Sequence, residues 1–231
     1  MVICTSITKS YLEKSKPFFT SVNQNFTGRK VCFTIGLTAE IEGWETISVL
    51  PQFKWRPKNR EDYYSLQHGE FIQHLQVEDE EMILFLDSDI VLQREFDLEF
   101  PATDGVLVTQ CSYPALKLFE VVRNLGIRGN KERFYDKYKC FLQREFCGCF
   151  LMAKAKTWKI IFELVKQNIT MLDRFEHHAA WQLLLNVVIS NNLKAYVLPE
   201  HICNAEWYAG TNMKDGKVGE EVVYFNYTKF N

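Results

Sequence analysis

The chain has 231 residues, 47% of them hydrophobic and 14% aromatic, enough apolar material for one large core. Its 27 basic and 29 acidic side chains leave a formal net charge of −2, which excludes the basic field that holds nucleic acid by its phosphates. No run approaches the roughly 20 apolar residues of a membrane span, and "MVICTSITKS" lacks the basic start and long apolar centre of a secretory leader, so a cytoplasmic protein without a transmembrane segment is expected.

In chain order, "VICTS" (2–6) reads as a short buried strand. The following "YLEKSKPFFTSVNQN" (11–25) has helical spacing, with Leu12, Phe19 and Val22 available for one face. "KVCFTIG" (30–36) and "TISVLP" (46–51) are strand candidates, and "KWRPKNR" (54–60) is a basic, proline-containing loop. "EDYYSLQHGEFIQHL" (61–75) places Tyr64, His68, Phe71 and Leu75 on one helical stripe despite Gly69, and leads into the apolar strand "MILFL" (82–86). "GVLVTQ" (105–110) is strand-like, and "ALKLFEVVRNLG" (115–126) is helix-like with a glycine stop. The charged, aromatic and aperiodic residues 127–145 form the best candidate for a mobile lid. "FCGCFLMA" (146–153) reads as a strand, and "KTWKIIFELVKQN" (156–168) and "EHHAAWQLLLNVVIS" (176–190) as helices. "AYVLP" (195–199) and "VVYFN" (222–226) close the chain as short strands.

Strands that are apolar runs, alternating with helices, predict an α/β fold: a Rossmann-like, mostly parallel central sheet with helices on both faces, in a single domain spanning 1–231. In such sheets ligands bind beyond the carboxyl ends of the strands. Neither GxGxxG nor a P-loop sequence occurs, so those phosphate cradles have no support. The seven cysteines are scattered, and "CGC" (147–149) lacks zinc-site spacing, so they read as small buried hydrophobes in a reducing compartment. Sequons at Asn25, Asn168 and Asn226 are expected to be fortuitous.

The stretch "MILFLDSDIVLQREFD" (82–97) breaks an apolar strand with two carboxylates. In an extended segment residues two apart point to the same side, so Asp87 and Asp89 are expected to reach one point in space. Two such charges about 4 Å apart repel by roughly 4 kcal/mol at an effective dielectric of 20. A hard divalent cation offsets that repulsion and can also grip a diphosphate, because Mg2+ or Mn2+ typically binds through one or two carboxylates plus substrate phosphates.

"EEMILFLDSDIVLQREFDLEF" resembles the metal-binding segment of GT-A fold glycosyltransferases with a DxD motif, of the glycogenin and bacterial galactosyltransferase type. "CTSITKSYLEKSKPFFTSV" is similar to that family's first strand and helix, "LPEHICNAEWY" to its late Leu-x-Pro…Asn segment, and "VVYFNYTKF" to its C-terminal His-x-x-Gly-x-x-Lys. The resemblance implies a nucleotide-diphosphate sugar donor, a UDP-sugar first among them, a saccharide or other hydroxyl acceptor, and Mn2+ or Mg2+ on Asp87 and Asp89. It further implies nucleotide contacts from Thr5, Ser6 and Tyr11, with Ser88 inside the motif, and retention of anomeric configuration. Residues 1–110 would then be the nucleotide- and metal-binding half and 111–231 the acceptor-binding half. The chain departs from the family at Tyr224, where the third metal ligand, a histidine, is expected. It departs again at Asn226 or Tyr227 for the glycine, and at Phe146, Cys147 and Gly148 for the Asn-Ser-Gly acceptor strand.

Sugar transfer requires the leaving diphosphate to be stabilised as its charge develops, a task for a metal and a lysine, here Lys229. Arg56, Lys58 and Arg60 are candidates for holding phosphates. His68 is either a donor contact or a core histidine. Asp173 and Glu176 have the spacing of a capping box, and the same carboxylates are candidates for a catalytic base in an inverting reaction. His177 and His178 lack the i, i+4 spacing of a helical zinc pair. Two other readings remain at this stage: an aspartate-based, magnesium-dependent phosphatase, and a nucleotide-sugar-binding module without turnover.

Overall fold

The computed structural model describes residues 1–56, 62–95, 104–110, 146–175, 180–198, 202–204, 217–218, 221–222 and 225–227. Among them a seven-stranded sheet runs in the order β10-β8-β9-β6-β1-β2-β3. Its strands are β1 (Val2–Thr8), β2 (Arg29–Ile35), β3 (Glu45–Val49), β6 (Met82–Leu86), β8 (Val106–Gln110), β9 (Phe146–Lys154) and β10 (Ala195–Leu198). All are parallel except β9, which runs antiparallel to both β6 and β8. The expected Rossmann-like α/β architecture is therefore what the chain adopts. The predicted helix over 115–126 and the predicted lid over 127–145 lie outside the described residues.

Among the described residues three α-helices cover the sheet: α1 (Lys16–Asn25), α2 (Ala155–Asn168) and α3 (Ala180–Asn192). α1 packs Phe18, Phe19 and Val22 with Ile3, Leu84 and Ile90 on one face. α2 and α3 bury Trp158, Ile161, Trp181 and Leu184 against Val2, Val31 and Phe85 on the other. The residues of the central strands β1, β6 and β9 are mostly buried on both sides, which is why they read as apolar runs, whereas β3 and β10 at the edges are partly exposed. α1 begins five residues later than the spacing predicted, because Pro17 has no N–H to donate and is tolerated only in the first turn.

The single helix predicted over 61–75 is instead a short strand and two 3-10 turns. A hairpin of β4 (Lys54–Trp55) and β5 (Tyr63–Tyr64) occupies part of the presumed basic loop, followed by turns at Ser65–His68 and Glu70–His74. Gly69 separates the turns with φ 111°, a backbone conformation that side chains disfavour. A Cβ there would meet the backbone N of Phe162 at 3.0 Å, so the glycine also permits a close approach to α2.

A second, three-stranded sheet is made by β7 (Ile90–Leu92), β11 (Cys203–Asn204) and β14 (Phe225–Tyr227), in the order β11-β14-β7. β14 lies antiparallel to β7, with Tyr227 opposite Ile90. A further hairpin joins β12 (Lys217–Val218) to β13 (Glu221–Val222), so the strand predicted over 222–226 is divided between two elements. No helix among the described residues is long and apolar enough to cross a membrane.

Candidate functional site

The carboxyl ends of β1 and β6 lie side by side at the point where the chain order reverses, β2 and β3 lying to one side of β1 and β6 to the other. That is the switch point at which open α/β sheets bind ligands. Asp87 leaves β6 there. Its N–H donates to the Cys149 carbonyl at 3.0 Å, and its own carbonyl accepts from the Ile90 N–H at 3.3 Å, closing a β-turn over residues 87–90.

The two aspartates are therefore carried on a turn and not on a continuous strand. Asp at the first position is a favoured start for such a turn, whose ends lie within ~7 Å of each other. Asp87 and Asp89 are half-buried, and Ser88 between them is buried. Among the described residues no group of three or more His, Cys, Asp or Glu side chains forms a complete protein metal cage.

The turn is held from both sides. Upstream, the Thr5 hydroxyl donates to the Leu86 carbonyl at 2.8 Å. Thr5 is fully buried, so this side chain ties β1 to β6 and offers no surface to a nucleotide. Half-buried Ser6 follows Thr5 on β1, whose pairing with β6 ends at Cys4 and Phe85. Downstream, β7 is bonded at Leu92 to Ser21 and Asn25 of α1.

On the other face, Gln182 and Asn186 of α3 grip the start of β9. Phe146 N–H donates to Asn186 Oδ1 at 2.7 Å, and its carbonyl accepts from Gln182 Nε2 at 2.6 Å and Asn186 Nδ2 at 3.2 Å. Gly148 N–H donates to Gln182 Oε1 at 3.1 Å. This places the first turn of α3 at the same sheet edge as the aspartates. None of Ser21, Asn25, Gln182 or Asn186 stands out in the sequence as a site residue. Their one signal is a polar group on an otherwise apolar helical face, such as Ser21 between Phe18 and Val22.

The other candidates divide. Tyr11 ends a 3-10 turn (Lys9–Tyr11) just past β1 and is exposed, with the Lys14 ammonium 5.5 Å from its ring centre. His68 is 3% exposed and stacks on Trp181 with ring centres 4.6 Å apart, so of its two readings the core histidine is the one the structure adopts. Burial pushes its pKa down to about 3, against a smaller opposing effect from the Tyr64 backbone, which leaves the ring uncharged at neutral pH. Arg56 pairs with Asp62 at 3.0 Å across the β4–β5 hairpin. Asp173 is exposed in a 3-10 turn (Ile169–Arg174), and Phe175 after it is extended, with φ −124° and ψ 153°, so no helix starts directly from Asp173. Lys58, Arg60, Glu176, Tyr224 and Lys229 lie outside the described residues.

The most conspicuous charge cluster is elsewhere. Lys154 and Lys156 bridge Glu80 and Asp104 at the amino edge of the parallel strands. Hydrogen bonds from the two lysines hold both carboxyls below their ordinary range, as expected of a surface network on the side away from the aspartate turn.

No family model matches the chain, and no curated protein matches it. Among solved structures it is similar to the galactosyltransferase LgtC in complex with donor and acceptor sugar analogues, with TM-score 0.64 and 14% identity over 99% of this chain and 87% of that one. It is also similar to the bifunctional glycosyltransferase WbbM, with TM-score 0.55 and 11% identity over 87% of this chain and 39% of that one. The glycosyltransferase GlyE of Streptococcus pneumoniae matches with TM-score 0.52 and 13% identity over 87% of this chain and 45% of that one. At these identities the likeness establishes the fold, that of the GT-A glycosyltransferases.

Proposed function

We propose that the chain is a metal-dependent glycosyltransferase that moves a sugar from a nucleotide-diphosphate sugar, a UDP-sugar first among them, to a hydroxyl acceptor. The observation that carries this reading is the turn bearing Asp87 and Asp89 at the carboxyl end of β6, on the switch point of the sheet, with β14 laid against the strand that follows it. That LgtC is described with donor and acceptor sugar analogues supports a sugar donor and a sugar acceptor for this fold.

The donor set fits Mn2+ or Mg2+. Two carboxylates on one bend supply hard oxygen ligands and leave the remaining positions for diphosphate oxygens and water. When bound, such a cation draws charge from the leaving diphosphate.

The chain's own residues bind and orient the donor. Asp87 and Asp89 fix the cation, with Ser6 and Ser88 as donor contacts. The exposed ring of Tyr11 offers a face to the base. Lys229, the lysine that the resemblance of "VVYFNYTKF" to the family's C-terminal segment implies, is assigned to the diphosphate. Arg60, four residues past Arg56, is a second cation for the donor. Asp173 and Glu176 are the carboxylates proposed to meet a hydroxyl acceptor. Retention of configuration is the preferred course, because the departing diphosphate then assists the acceptor and no protein base is needed.

Calorimetry of UDP binding with and without manganese tests the reading. Asp89→Asn removes charge at nearly constant volume, so it should abolish the manganese-dependent part of binding while circular dichroism stays unchanged. Binding in that variant that still responds to manganese as in the wild type would refute the assignment.

A further inference from the structure

We propose that Ser21 and Asn25 of α1 are positioning residues for the aspartate turn, acting through β7. This rests on the reading of Asp87 and Asp89 as metal ligands.

The two sides of the turn are not equally supported. Upstream, β6 sits in the middle of a seven-stranded sheet. Downstream, β7 leaves that sheet after the turn and is a three-residue edge strand of the small β11-β14-β7 sheet. An edge strand this short depends on packing against a helix to hold its position.

α1 supplies what is missing. The Leu92 N–H donates to Ser21 Oγ at 3.1 Å, and the Leu92 carbonyl accepts from Asn25 Nδ2 at 3.1 Å, so both backbone polar groups of the last β7 residue are bound to one helix. The donors and acceptors are fully directed. Ser21 spends its only proton on the Phe18 carbonyl at 2.9 Å, which leaves its oxygen to accept from Leu92. Asn25 spends its other amide proton on the Ser21 carbonyl at 3.0 Å.

The same helix face receives Ile90 and Leu92, both buried with Phe18, Phe19 and Val22. A slip of one residue in β7 would turn those side chains out and break both bonds at once. Asp89 immediately precedes β7 and lies three residues from Leu92, within ~10 Å of chain, so its placement is tied to this anchor. The network also commits the amide of the Asn25 sequon, since a glycan there would replace one of the two protons it gives to Ser21 and Leu92.

The test compares Ser21→Ala and Asn25→Ala with Asn23→Ala, a control on the same helix whose amide bonds the Glu42 carbonyl and not β7. Hydrogen exchange of metal-free protein reads the anchor, and calorimetry of UDP with manganese reads the site. Ser21→Ala and Asn25→Ala should speed exchange at residues 87–92, leave residues 29–35 unchanged, and weaken manganese-assisted UDP binding by about tenfold, the equivalent of one buried hydrogen bond. Asn23→Ala should do none of these. Exchange that rises equally throughout the chain, or a local rise with affinity unchanged, overturns the inference. Wild-type protein whose UDP binding ignores manganese overturns the metal reading and this inference with it, and a local exchange effect would then mark Ser21 and Asn25 as an anchor for β7 alone.

Discussion

Lowering the pH should destabilise the chain through one residue, His68. The imidazole is 3% exposed, stacked on Trp181, and its Nδ1 finds no hydrogen-bond partner among the described residues. Burial holds its pKa at about 3 in the folded chain, against an ordinary value of 6.5. The folded value is the lower one, so between these limits the unfolded chain binds a proton that the folded chain does not. Stability is therefore complete above about pH 6.5 and declines as the pH falls toward 3. Between pH 7.5 and 5.0 the linkage amounts to about 2 kcal/mol, a figure set almost wholly by the unfolded pKa because the folded ring stays neutral at both values. The assay is urea unfolding of wild type and His68→Phe at the two pH values. Phe keeps an aromatic ring on Trp181 and has nothing to protonate. Wild type should lose about 2 kcal/mol more than the variant over that interval, which isolates His68 from the carboxylates common to both proteins. Equal losses, or an imidazole that titrates near pH 6.5 in the folded protein by NMR, would refute the burial argument and restore His68 as a possible cation for the diphosphate.

Two further outcomes follow from named contacts. Thr5→Val keeps the shape of a β-branched strand residue but leaves the Leu86 carbonyl without its hydroxyl donor. It should cost about 1–3 kcal/mol in urea unfolding, and no loss would mean that this contact adds nothing to holding β1 against β6. Glu176→Gln tests the stereochemical course: a retaining enzyme should lose little turnover and mainly acceptor affinity, whereas an inverting base would cost about 10²- to 10⁴-fold with donor binding preserved. Proton NMR of the first-formed product reads the anomer directly, and inversion would promote Glu176 to catalytic base.

What the sequence discloses is the burial of each element more than its direction or its joints. β2, β3, β6, β9 and β10 are apolar runs and were legible as strands. Nothing in such a run states which way it points, so the reversal of β9 appears only in its pairing with β6 and β8. The stripe through Tyr64, His68, Phe71 and Leu75 is helical in spacing, yet Gly69 is needed in a left-handed conformation close to Phe162, and that tertiary demand splits the segment. At the site the Asp-x-Asp pattern was legible because charge in an apolar run is costly unless it has a purpose. The geometry inferred for it was not, since a strand and a turn place a residue and its second neighbour differently. Asp173 and Glu176 have the spacing of a capping box, but Phe175 between them is extended, so Asp173 does not cap a helix there.

The polar residues that sequence reading passed over have one task in common. A site at the edge of a sheet requires strands to diverge, and divergence strips backbone groups of their ladder partners. Three such places surround the aspartates. At Leu86 the carbonyl is met by Thr5, at Leu92 both groups are met by Ser21 and Asn25, and at Phe146 both are met by Asn186, with Gln182 adding a second donor. α1 works from one face of the sheet and α3 from the other, so the turn hangs between two packed layers: Asp87 is bonded to β9, which α3 holds, and Asp89 leads into β7, which α1 holds. A site fixed in this way needs little rearrangement when charge develops on a ligand, which is what electrostatic stabilisation requires. It also asks little of residue identity, because a backbone N–H or carbonyl accepts any hydroxyl or amide of suitable reach. A fold that secures its site through backbone groups can therefore diverge widely in sequence.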